Sequence, residues 1–142
     1  MPATKAERKY LLDTSALLAL WNAERGSEFV EKLLHQSLRK KIKVLVSFMT
    51  YMEATYRLWR SRGQGIAKEF CIHLNTLPIW RIDLDENILF KAAELKATKN
   101  LSVADSWIIA SAVVHQATLV HKDPEFEQVK DLIQLWALPY KV

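Results

Sequence analysis

Tyr10-Leu11-Leu12-Asp13-Thr14-Ser15-Ala16-Leu17-Leu18 is the stretch on which the fold turns. Tyr10–Asp13 is short and apolar up to its last residue, and it reads as a buried strand. Thr14-Ser15 cuts the strand short with side chains suited to capping, and Ala16–Asn22 then reads as a helix. A strand passing straight into a helix is how an α/β domain begins. The acid at the junction does not belong to that pattern. Asp13 is the only carboxylate between Glu7 and Glu24. A charge in an apolar segment costs stability unless a partner compensates it.

The same alternation continues outward. Gly26 breaks the chain before a helix at Glu28–Lys40, and Lys43–Ser47 is continuous and β-branched, like a strand buried on both faces. Helices follow at Met49–Ser61 and Ile66–Asn75, separated by a turn at Gly63-Gln64-Gly65. That turn is not a phosphate loop, because no Lys-Ser/Thr pair follows it. Ile79–Asp83 reads as a strand, Glu86–Thr98 and Val103–Gln116 as helices, Thr118–His121 as a strand and Leu132–Trp136 as a last short one. Strands separated by helices imply one domain over residues 1–142, with a central, mainly parallel sheet of about five strands and helices on both faces.

Three further acids repeat the anomaly of Asp13. Glu53 is the only acid between Lys43 and Glu69, and Asp105 the only one between Glu94 and Asp123. Asp13 ends the first strand, and Asp123 follows the fourth. Glu53 lies in the helix leaving the second strand, and Asp105 opens the helix that feeds the fourth. All four therefore map to the carboxyl rim of one sheet, where open α/β sheets bind ligands. Carboxylates gathered there repel, and a divalent cation relieves the repulsion. Hard oxygen donors select Mg²⁺ or Mn²⁺, and such an ion suits hydrolysis of a phosphodiester. One or two ions are compatible with the residues.

Each acid also has a structural reading. Asp13 can cap the following helix, and Glu53 can pair with Arg57 at i, i+4. Asp105 completes a capping box with Ser102, and Asp123-Pro124 can open a short helix. Their common placement on one rim is what favours the metal reading.

The bulk composition fits a nuclease without requiring one. The net charge is +4, half the residues are hydrophobic and a quarter are charged. Arg39, Lys40, Lys41 and Lys43 form one basic cluster, and Arg57, Arg60 and Arg62 another around Trp59. Both are expected to surround the acidic pocket and guide a phosphate backbone. The single cysteine, Cys71, excludes an internal disulfide and a cysteine zinc cluster, which suits a reducing cytoplasm. No apolar run is long enough to span a membrane, and the polar stretch Met1–Lys9 does not read as a signal peptide. The four histidines show no zinc-binding spacing, and only His121 falls near the rim.

The chain resembles the PIN-domain ribonucleases, and among them the small VapC-type toxins. Four blocks carry the resemblance: Leu11–Leu17, the lone Glu53, Val103–Ala112 and Ala117–Phe126. It implies a Rossmann-like fold and an Mg²⁺- or Mn²⁺-dependent endoribonuclease that forms the toxin of a type II toxin–antitoxin pair. Asp13, Glu53, Asp105 and Asp123 would be its catalytic and metal-binding acids, with Ser15 ordering the site. The resemblance also implies a homodimer and an antitoxin whose tail crosses the acidic groove. Two positions depart from the pattern. His121 stands where Thr or Ser is usual, and Glu125 where a further Asp is common. A catalytically weak module that binds RNA or a protein partner is the alternative. A receiver domain or haloacid-dehalogenase phosphatase fits poorly, since each needs a second acid that Thr14-Ser15 does not provide.

Overall fold

The computed structural model describes residues 7–141. In chain order the elements are β1 (Arg8–Leu12), α1 (Thr14–Trp21), α2 (Ser27–Leu38), β2 (Ile42–Ser47), α3 (Phe48–Arg62), α4 (Gln64–Leu74), β3 (Trp80–Ile82), α5 (Glu86–Thr98), α6 (Val103–His115), β4 (Thr118–His121), a short 3₁₀ helix (Pro124–Val129) and β5 (Leu135–Ala137). The strands form one sheet in the order β3-β2-β1-β4-β5, and every pairing is parallel. The expected α/β sheet is therefore present, and it is wholly parallel.

Period-two alternation divides the strands between two cores. Leu11, Leu45 and Leu119 point into a core closed by α5 and α6. Leu12, Val44, Val46 and Val120 point into the other, closed by α1 to α4. A central strand covered on both faces must be apolar at successive positions, which is why Leu11 and Leu12 are both fully buried.

β1 is central, and the chain leaves it in two directions. β2 and β3 lie to one side, β4 and β5 to the other. The order reverses between β1 and β4, so the crevice of this sheet opens at their carboxyl ends. Asp13 and Asp123 follow those two ends directly.

Two local differences from the sequence reading have simple causes. Asp13 lies outside the strand and serves as the N-cap of α1, which begins at Thr14. Gly63, at φ 94°, alone separates α3 from α4, so Gln64 and Gly65 already belong to the first turn of α4. Gly26, at φ 96°, has a packing reason as well. A Cβ there would lie 3.0 Å from Cβ of Leu138, where the chain after β5 crosses the α1–α2 link. The same crossing is tied by Lys122 Nζ, which pairs with Glu24 at 3.1 Å.

Candidate metal centre

Asp13 is held from several directions. Its backbone N–H donates to the carbonyl of Val120 at 3.0 Å, which ties the end of β1 to β4. Its Oδ1 accepts from the N–H of Ala16 at 2.8 Å, as an N-cap does. Ser15 Oγ donates to both carboxylate oxygens, at 2.7 and 2.8 Å. The same Oγ accepts from the backbone N–H of Lys122 at 2.9 Å. Ser15 thus bridges the first acid to the segment carrying the fourth. Capping explains where this carboxylate sits, but not why it is buried to 3% exposure.

Glu53 sits in the second turn of α3, also buried. Ser47 caps that helix through the N–H of Met49. Thr50, one turn before Glu53, accepts a buried hydrogen bond from Thr14 Oγ1 at 3.3 Å. This contact couples the helix of Glu53 to the residue beside Asp13. Sequence reading missed Thr14 and Thr50; the available signal was a hydroxyl at i−3 from Glu53, on the same helix face.

Asp105 lies in the first turn of α6, where its N–H donates to Ser102 Oγ at 3.1 Å. Asp123 caps the 3₁₀ helix, its Oδ1 accepting from the N–H of Glu125 at 2.9 Å. The Asp123 N–H donates to Nδ1 of His121 at 3.2 Å. His121 is fully buried and packs edge-on against Phe126. Because Nδ1 accepts the Asp123 N–H, the ring hydrogen sits on Nε2, and burial lowers the pKa of the ring. It is therefore a wedge behind Asp123.

The structural roles foreseen for Asp13, Asp123 and the Glu53–Arg57 pair are realised, and half of the Ser102–Asp105 capping box is formed. Their electrostatics still require more than those roles supply. Burial pushes the Asp13 carboxyl up to about 7, against the Ala16 N–H and Ser15, and repulsion from Asp105 and Glu53 adds to the rise. Burial likewise raises Asp105 to about 6, with repulsion from Glu53, Asp123 and Glu125 added and the Ser102 cap opposing. Asp13 thus feels Asp105 and Glu53, and Asp105 feels Glu53 and Asp123. Arg57 Nη2 pairs with Glu53 Oε2 at 3.6 Å, but half of Arg57 faces solvent. Lys122 is paired with Glu24 and so leaves Asp123 uncompensated.

Among the described residues, no three His, Cys, Asp or Glu side chains are close enough to close around a metal ion. The rim is a loose constellation. Mg²⁺ needs no closed cage, because it takes one or two carboxylates directly and keeps several waters. An all-oxygen donor set with raised carboxyl pKa values fits a hard divalent cation, which would hold those groups ionised.

The basic residues divide. Of the second cluster, Arg57 reaches the rim, Arg60 lies over the ring of Tyr56 at 5.3 Å, and Arg62 is the last residue of α3. The first cluster was expected around the acidic pocket and is not there. Arg39, Lys40, Lys41 and Lys43 lie at the amino end of β2, across the sheet from the acids. Arg39, Lys40 and Lys41 precede the strand and Lys43 lies near its start, whereas Glu53 follows it.

The fold is a parallel α/β sheet with four acids near its carboxyl rim, and comparison with known proteins identifies the family. Residues 10–132 match the PIN domain family model. The chain belongs to the PIN domain family. No curated protein matches it. Among solved structures, VapBC2 from Rickettsia felis bound to a promoter DNA fragment is 19% identical with a TM-score of 0.74, over 92% of this chain and 99% of that one. DNA-bound VapBC from Salmonella typhimurium is 17% identical with a TM-score of 0.73, over 92% and 98%. VapC20 of Mycobacterium tuberculosis, a sarcin–ricin loop cleaving toxin, is 20% identical with a TM-score of 0.65, over 84% and 94%. At these identities the likeness is one of fold.

Proposed function

We propose that the chain is a single PIN-domain unit acting as a divalent-metal-dependent endoribonuclease, the toxin of a toxin–antitoxin pair. The observation that carries this reading is the burial of Asp13 beside Asp105 and Glu53 without an adequate protein cation. Asp13, Asp105 and Asp123 would hold Mg²⁺ or Mn²⁺, with Glu53 as a further ligand or as base toward the attacking water. When bound, such an ion activates water and neutralises charge developing on the phosphate. The protein's part is positioning. Ser15 fixes the Asp13 carboxylate and links it to the Lys122–Asp123 segment, His121 supports the Asp123 backbone, and Ser102 fixes Asp105. Arg57, at the rim and half exposed, is placed to meet a phosphate.

An antitoxin as partner is supported by the fold shared with VapBC proteins and RNA as substrate by the fold shared with VapC20; a homodimer is what the sequence resemblance implies. Among the described residues no helix is long and apolar enough to cross a membrane. The test is cleavage of structured RNA with Mn²⁺, with EDTA and with Asp13→Asn. Cleavage that needs the metal and is lost in the variant supports the reading; cleavage that survives EDTA and the substitution refutes it.

A further inference from the structure

The amino edge of the sheet gathers cations that the site at the carboxyl edge does not use. Lys9 on β1 and Lys43 on β2 are register partners, so their side chains leave the same face side by side. Like charges placed opposite one another across a ladder are destabilising. Arg8, Lys40 and Lys41 line a cleft at the same edge but on the opposite face of the sheet, with Glu7 at its border. Among the described residues, none of these five cations makes an ion pair.

The backbone sets the position of Lys40. The N–H groups of Lys40 and Lys41 donate to the carbonyls of Ser37 and Gln36, closing α2 with a Schellman turn. Lys40 therefore occupies the left-handed position, at φ 60°, where glycine is the unstrained choice. Ala23 and Gln116 take the same left-handed conformation, so the turn fixes where Lys40 sits without selecting for its charge. On the edge strand β3, Trp80 is 46% exposed, and Lys43 Nζ lies 4.8 Å from its ring centroid. Paired lysines next to an exposed indole suit a phosphate backbone with an accessible base.

We propose that this edge is a second RNA-contact surface, remote from the acids, and that the substrate is a folded RNA large enough to reach both edges. This rests on the nuclease reading for the word substrate, though not for the binding itself. Lys9 lies four residues before Asp13 on a strand, about 13 Å away at ~3.3 Å per residue. The direct line runs through the packed sheet, so a bound strand must pass around the outside. A tetranucleotide seated at the acids does not reach Lys9 and Lys43, whereas a stem-loop does.

The test is fluorescence anisotropy on the full chain in EDTA, with a stem-loop RNA and a tetranucleotide over a salt series. Two variants are compared with the parent: Lys9→Gln with Lys43→Gln, and Lys40→Gly. The proposal expects stem-loop affinity to fall about tenfold, and the slope of log K against log salt to drop by about 0.7–0.9 for each phosphate no longer neutralised. Tetranucleotide binding stays unchanged. Lys40→Gly should leave the Tm unchanged or raise it, which separates weaker binding from impaired folding. Unaltered stem-loop affinity and slope would overturn the proposal, as would equal losses for both RNAs. The nuclease reading is tested separately by Mn²⁺, EDTA and Asp13→Asn. Failure there with loss of stem-loop binding here leaves a binding surface on a protein that is not a nuclease. Metal-dependent cleavage with an unmoved salt slope removes this surface alone.

Discussion

At the carboxyl edge of the sheet, Asp13 is buried and fixed by Ser15 and the Ala16 N–H; at the amino edge, Lys9 and Lys43 stand in register, and among the described residues no acid pairs with either. Both edges collect charge of one sign, and both do so through chain direction. Residues that follow a parallel strand gather at one end and residues that precede it at the other. They differ in desolvation. Lys9 and Lys43 are only half-buried, so they stay in contact with water and are screened by salt. Buried carboxylates lose theirs, and their pKa values rise. The acidic edge is therefore suited to a small ion held closely, the basic edge to an extended polyanion held loosely.

The largest expected effect that could break this contrast comes from Asp13→Asn. RNA cleavage should fall by about 10²–10³, while the metal-free protein at pH 8 should be no less stable than the parent. A variant that keeps cleavage, or unfolds at pH 8, would make the buried acid a structural element only.

The pH dependence sharpens the contrast next. A carboxyl whose folded pKa lies above its unfolded value binds protons more tightly in the folded state. Its contribution to stability is complete below the unfolded value and is lost as pH rises through the folded one. For Asp13 the window runs from 3.8 to about 7, and for Asp105 from 3.8 to about 6. Denaturant unfolding in EDTA should give stability from these groups that falls across that window. The fall is about 1.4 kcal/mol for every tenfold by which folding tightens proton binding. Asp13→Asn should reduce the fall, and Mn²⁺ should offset it at pH 7 and above. A profile insensitive to both would contradict the account.

Smaller effects test the supports. Ser15→Ala removes the bridge between Asp13 and Lys122, and cleavage should drop about 10–100-fold, as for other groups that orient metal ligands. Near-complete activity would show that the Ala16 cap suffices. Arg57→Gln should change stability by less than about 1 kcal/mol, since Arg57 is half open to solvent and its contact with the buried Glu53 is long, at 3.6 Å. It should raise KM for RNA a few-fold with kcat little altered; an unchanged KM would take Arg57 out of substrate binding.

Much of this was legible from the residues alone. Asp13 interrupts an apolar run, and Asp105 follows a capping serine, so both helix starts and both acids could be read locally. The sheet followed from alternation, because Val44, Leu45 and Val46 must serve two cores at once. What escaped depends on contacts between distant segments. Ser15 bonds to Lys122, Thr14 bonds to Thr50, and the burial of His121 depends on packing against Phe126. None of these leaves a periodic signal. The misplacement of Arg39–Lys43 is different in kind. Strand direction puts residues that precede β2 opposite those that follow it, and applying that rule to the cations as well as the acids would have located them.

The most direct test of the acidic edge is calorimetric titration of Mn²⁺ into the metal-free protein and its Asp13→Asn variant at pH 7.5. The account predicts saturable binding to the parent with release of protons, and much weaker binding to the variant. Equal binding by both proteins, or none by either, would contradict it.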